Sequence, residues 1–127
     1  MKHPYKLEFT LDGLPETTNS IGRKHWAVKA KEAKTWKARV GYLARKHGLP
    51  KKPIKHAHLT LIRFSAKSPD PDGLVSSFKH VIDGLVEIGV LENDKISNIG
   101  MPDYAWEKCG PKKGHIIVIV EERNDTG

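Results

Sequence analysis

Asp70, Asp72, Lys79, Asp83, Glu92 and Asp94 all fall in one stretch, residues 68–96, which reads SPDPDGLVSSFKHVIDGLVEIGVLENDKI. Carboxylate oxygens are hard ligands suited to Mg²⁺ or Mn²⁺. A lysine beside them adds a positive charge for an anionic substrate group. The composition is that of a divalent-metal site with a cation nearby. The same residues also have a plain structural use. Asp72 can cap a helix, because aspartate accepts hydrogen bonds from free backbone N–H groups and suits the positive end of the dipole. Lys79 and Asp83 have the i,i+4 spacing of an ordinary surface pair on a helix. Spacing alone leaves both uses open.

Several elements must position these groups. Leu74, Phe78, Val81, Ile82 and Leu85 recur at the spacing of one buried helix face. Asp72, Ser76, Lys79 and Asp83 recur within roughly 60° of one another on the other side. A Gly-containing exit then brings in Glu92 and Asp94. Upstream, residues 5–11 alternate apolar and polar, which predicts a half-buried strand. LDGLPETTNS is turn chemistry, and it leads to a basic segment, IGRKHW.

Residues 27–47 carry a second helical pattern. Ala33, Trp36, Val40, Leu43 and Ala44 form its apolar stripe, lysines and arginines cover much of the rest, and Gly48 and Pro50 end it. Trp26, at its edge, suits either core packing or stacking on an unpaired base. Residues 54–65 read as a strand that delivers the chain to Asp70. His56 and His58 share one face of that strand, but no further zinc ligand is placed to join them. Residues 95–107 read as extended, 115–121 as a central strand covered on both faces, and 123–127 as a frayed polar tail. The order is β-α-β-α-β-β. The predicted fold is a single α+β domain over residues 1–127, with two layers: a mixed β-sheet and two amphipathic helices mainly on one face.

Composition narrows the partners. Lysine and arginine exceed aspartate and glutamate by 22 − 15 = 7. Residues 23–56 hold twelve of the 22 basic residues and one acid, Glu32. That density points to a polyanion, nucleic acid before membrane. The apolar run at 116–120 is far too short to span a bilayer, and the N-terminal MKHPYKLEF has no signal-peptide core. Cys109 is the single cysteine, so no internal disulfide forms, and a reducing, cytoplasmic location is expected.

The central stretch is similar to the RusA family of Holliday junction resolvases, common in prophages. The family pattern is Asp-x-Asp-Asn-Leu, a helix with a lysine and an aspartate four residues apart, and a short exit to paired aspartates. Here it reads Asp70-Pro71-Asp72-Gly73-Leu74, then Lys79 and Asp83 within KHVIDGL, then Gly89-Val90-Leu91-Glu92-Asn93-Asp94. The upstream strand, the LPETTN turn, GRKHW and the basic helix agree too, so the resemblance covers most of the chain. Gly73 stands where an asparagine commonly follows the second aspartate, and Asn93 where the first of the paired aspartates often sits.

The resemblance implies a magnesium-dependent endodeoxyribonuclease, a hydrolase of DNA recombination and repair, that cuts branched DNA at four-way junctions as a homodimer. It implies Asp70, Asp72, Lys79 and Asp94 as catalytic residues. Mg²⁺, or Mn²⁺ in its place, would lie on Asp70, Asp72 and Asp94, with Asp83 and Glu92 in support. The basic segment and helix would bind DNA through Asn19, Arg23, Lys24, Lys29, Lys31, Lys34 and Lys37. Two other functions fit the same residues: a non-catalytic branched-DNA or RNA binder on this scaffold, and a metal-dependent nuclease with another nucleic-acid substrate.

Overall fold

The computed structural model describes residues 4–15 and 26–123. Asn19, Arg23, Lys24 and residues 124–127 of the expected tail lie outside the described residues. Four strands and four helical segments follow in order: β1 (Lys6–Asp12), α1 (Trp26–His47), β2 (Ala57–Ser65), α2 (Pro71–Ser76), α3 (Lys79–Ile88), α4 (Ile96–Ile99), β3 (Asp103–Lys108) and β4 (His115–Glu122). The fold is α+β. Its sheet is mixed, in the order β1-β4-β2-β3. β4 runs antiparallel to both β1 and β2, and β3 is parallel to β2. A parallel pair needs a crossover, and the crossover from β2 to β3 is the stretch that carries the acids.

One face of the sheet supplies the core. Leu7, Phe9 and Leu11 of β1, Leu59 and Leu61 of β2, and Ile116, Val118 and Val120 of β4 are buried with Trp36, Val40, Phe78, Val81 and Leu85 from the helices. The other face is only half-covered. Along β4, Ile117 and Ile119 are partly exposed where both faces were expected to be covered. On that open face His58 pairs with Asp103 at 2.9 Å.

Three sequence expectations change in detail. The long central helix is two helices. At Ser77 the backbone N–H still bonds Gly73 O, but Phe78 N–H bonds Val75 O, three residues back. Ser76 and Ser77 return their hydroxyls to Gly73 O and Leu74 O, a local competition that weakens helices. The break lets Phe78 be fully buried. Asp72 and Ser76 therefore belong to α2, while Lys79 and Asp83 belong to α3. Residues 95–107 are not extended throughout, because Ile96–Ile99 form a helical turn closed by Gly100 at φ 60°. Its signal is only one turn long, and burial of Ile99 fixes it. Ile54 leaves the expected strand because it pairs with Leu91 of the exit loop instead of with the sheet.

α1 packs its expected stripe inward, and α3 crosses it closely. A Cβ on Gly84 would stand 3.1 Å from the Lys37 Cα and 3.2 Å from the Val40 Cβ. Arg39 serves the fold: its Nη2 donates to Asp12 O at 2.7 Å, and its guanidinium lies 4.7 Å above the Trp36 ring. Trp26 is 74% exposed, so it is not part of the core. Among the described residues no helix is long and apolar enough to cross a membrane.

Gly84→Ala must push α1 and α3 apart against backbone. Urea unfolding should record a loss of about 1–3 kcal/mol. An unchanged midpoint would mean the helices can separate freely.

Candidate active site

Strand β2 ends at Ser65, and the loop after it leads to Asp70. Asp70 is extended, at φ −76° and ψ 165°, and its Oδ1 accepts the Gly73 N–H at 2.6 Å. Pro71 follows at the start of α2, where its fixed φ suits a helix and its missing N–H costs nothing. Asp70, rather than Asp72, is thus the cap. Asp72 sits exposed in the first turn, where its charge suits the dipole.

On α3 the Lys79 Nζ donates to the Asp83 Oδ1 at 3.3 Å. Asp83 is the more enclosed partner, 27% exposed against 65% for Lys79. A pair this open contributes under about 1 kcal/mol to stability. It is weak enough for an incoming phosphate to displace.

The exit from α3 is built tightly. Gly89, left-handed at φ 95°, caps the helix with its N–H on Leu85 O and Val86 O. Ile54 N–H then bonds Val90 O, and Glu92 N–H bonds Ile54 O, both at 2.9 Å. This two-way bond pins the exit loop beside the approach to β2. Asn93 uses its Oδ1 to accept the Asp94 N–H at 2.8 Å, which shapes the next turn.

The outcome is a cleft of about 170 Å³ at the edge of α3, lined among others by Lys79, Asp83, Asp94, Ile96, Met101 and Tyr104. It gathers one cation and two carboxylates from separate elements. Asp70, Asp72 and Glu92 do not line it. Among the described residues no group of three or more His, Cys, Asp or Glu is arranged to hold a metal ion, so Asp70, Asp72 and Asp94 are not a preassembled ligand set.

Comparison with models of known protein families gives no match to this chain, and comparison with curated proteins gives none.

Tyr104 is the member of the cleft that sequence reasoning did not single out. Burial raises its hydroxyl above the ordinary value. The protonated form is therefore favoured, and Tyr104 keeps its O–H through the neutral range. Nothing in YAWEK distinguishes a cleft tyrosine from any tyrosine of a strand. Of the expected DNA-binding residues that are described, Lys31 and Lys34 are exposed, Lys29 is half-exposed, and Lys37 pairs with Glu87 at 3.4 Å.

The double use of Asp70 can be separated. Asp70→Ala removes the cap and should cost about 1 kcal/mol, whereas Asp70→Asn keeps a cap of equal quality and should cost little. Chemical denaturation of both variants measures this. Equal losses would mean that the charge, not the cap, holds the start of α2.

Proposed function

We propose that this chain is a Mg²⁺-dependent, structure-selective endodeoxyribonuclease that resolves four-way DNA junctions, as its resemblance to the RusA family implies. What supports it is the convergence of Lys79, Asp83 and Asp94, from a helix and its exit loop, on one cleft. The donor set fits the metal. Mg²⁺ usually keeps several waters and takes only one or two carboxylates beside substrate phosphates. Asp83 and Asp94, the two carboxylates of the cleft, would hold it, while the expected ligands Asp70 and Asp72 stand outside its lining. When bound, the metal would neutralise the phosphate and activate a water for phosphodiester hydrolysis.

The chain's own residues do the rest. Lys79 leaves Asp83 for the scissile phosphate and stabilises charge developing on its oxygens. Tyr104 forms part of the wall of the cleft. The basic face of α1 holds DNA by its backbone, without reading sequence. Two copies related by a two-fold axis would place two such clefts for paired nicks. A cytoplasmic site of action goes with this substrate.

A non-catalytic branched-DNA or RNA binder is the second function, and Gly73 and Asn93, the two departures from the family pattern, favour it. Single-turnover nicking of a labelled four-way junction, with Mg²⁺ or EDTA and beside a linear duplex, separates the two. The parent should cut only the junction and only with metal. Lys79→Ala and Asp94→Asn should each slow cleavage about 10²-fold or more, roughly 2.7 kcal/mol of transition-state stabilisation. Binding in a gel shift should change by less than about 1 kcal/mol for each. A parent that binds tightly yet never cuts makes this chain a binder. Variants that cut as fast as the parent put the active site elsewhere.

A further inference from the structure

A second, larger cleft lies away from the acids, on the opposite flank of α3, in the groove where α3 crosses α1. It encloses about 760 Å³. Small residues make up much of its lining: Gly41 and Gly84 are buried at the crossing, and Ala30 and Ala38 are exposed along α1. Its rim carries Lys34, Lys37 and Arg45 against one acid, Glu87. The α1 residues recur from Ala30 to Arg45 along one side of the helix. At 1.5 Å per residue that side is about 22 Å long.

We infer that this groove is a second phosphate-backbone track, which holds a duplex arm of the branched DNA while the Lys79 cleft faces the scissile bond. The inference rests on the nuclease function proposed above and narrows its DNA contact from the basic face of α1 in general to this groove. Charge complementarity selects the occupant: three cations face one carboxylate, and the lining presents no large apolar side chain other than Ile88 to anchor a peptide. The small residues let a backbone approach the helix surface closely. Lys37 is held by Glu87 at 3.4 Å. Lys34 and Arg45, both exposed, are the leading phosphate contacts. Residues 79 and 83 face one flank of α3, and 84 and 88 face the other. A strand that enters the cleft can therefore cross α3 and continue along α1. Arg45 was no part of the DNA-binding set expected from sequence, because only the crossing of the helices makes it a wall of a groove.

Two kinds of variant test the groove, by binding alone and without metal. Lys34→Gln/Arg45→Gln removes two rim charges. It should weaken junction and linear-duplex binding alike, by about tenfold or more near 0.1 M salt, and flatten the log–log salt slope by about 2. Lys46→Gln/Lys51→Gln removes two exposed charges outside the groove and should weaken binding much less. Ala38→Met leaves charge unchanged, keeps a good helix former and crowds the wall that Ala38 gives this groove and the neighbouring cleft. It should weaken binding at least about fivefold, whereas Thr35→Met, on another side of α1, should bind as the parent does. Circular dichroism melts confirm that each variant is folded. If the rim pair behaves like its charge-matched control and Ala38→Met binds normally, the groove is not the track. Because cleavage is not read, a parent that binds but never cuts sinks only the nuclease function. A parent that cuts while both groove variants bind normally sinks only this inference.

Discussion

The close crossing of α1 and α3 at Gly84 is the constraint on which the rest of the structure depends. A Cβ at Gly84 would stand 3.1 Å from the Lys37 Cα, so tight that a side chain there forces the two helices to give. That contact sets the rotation of α3 about its own axis. Val81 and Leu85 then face the sheet, Ile88 faces Gly41, and Lys79 and Asp83 are left at the remaining edge. A helix rotated by one residue, 100°, would bury a charge or expose a core side chain. The position of the candidate catalytic pair is thus fixed by packing, not by the weak attraction between its members.

A second fixed point brings Asp94 to that edge. Gly89 turns the chain back, and the exchange of hydrogen bonds between Ile54 and the exit loop locks it beside the approach to β2. Backbone bonds of this kind hold loops far more firmly than exposed ion pairs do. The candidate site is therefore carried by a rigid scaffold although its acids lie on a loop and a helix edge.

Much of this was legible in the sequence, for identifiable reasons. Alternation in β1 and the 3.6-residue stripe of α1 come straight from burial on one side, and the structure follows them; the one-sided burial of β4 was hidden because its outward positions, Ile117 and Ile119, are apolar too. The break at Ser77–Phe78 was not legible, because Leu74, Phe78 and Leu85 keep one helical period across it. Only the hydroxyl back-bonds and the burial of Phe78 reveal the interruption. The α4 turn is too short to carry a period. Within the site, Lys79, Asp83 and Asp94 were visible as residue types on one unit. The assignment of the cap to Asp70, the place of Tyr104 and the distance of Asp70 and Asp72 from the cleft lining needed coordinates. They depend on which backbone N–H each carboxylate meets and on how β3 lies against α3.

On the function proposed above, the edge of α3 and its exit loop take up a divalent cation. Mn²⁺ tests it most directly, since its unpaired electrons broaden the NMR signals of nearby amides. In the DNA-bound protein, substoichiometric Mn²⁺ should erase the amide signals of Lys79, Asp83 and Asp94, and excess Mg²⁺ should restore them. Signals along α1 at Arg45 and Lys46 should keep their intensity. Broadening that centres on another part of the protein, or that Mg²⁺ does not reverse, would contradict the account.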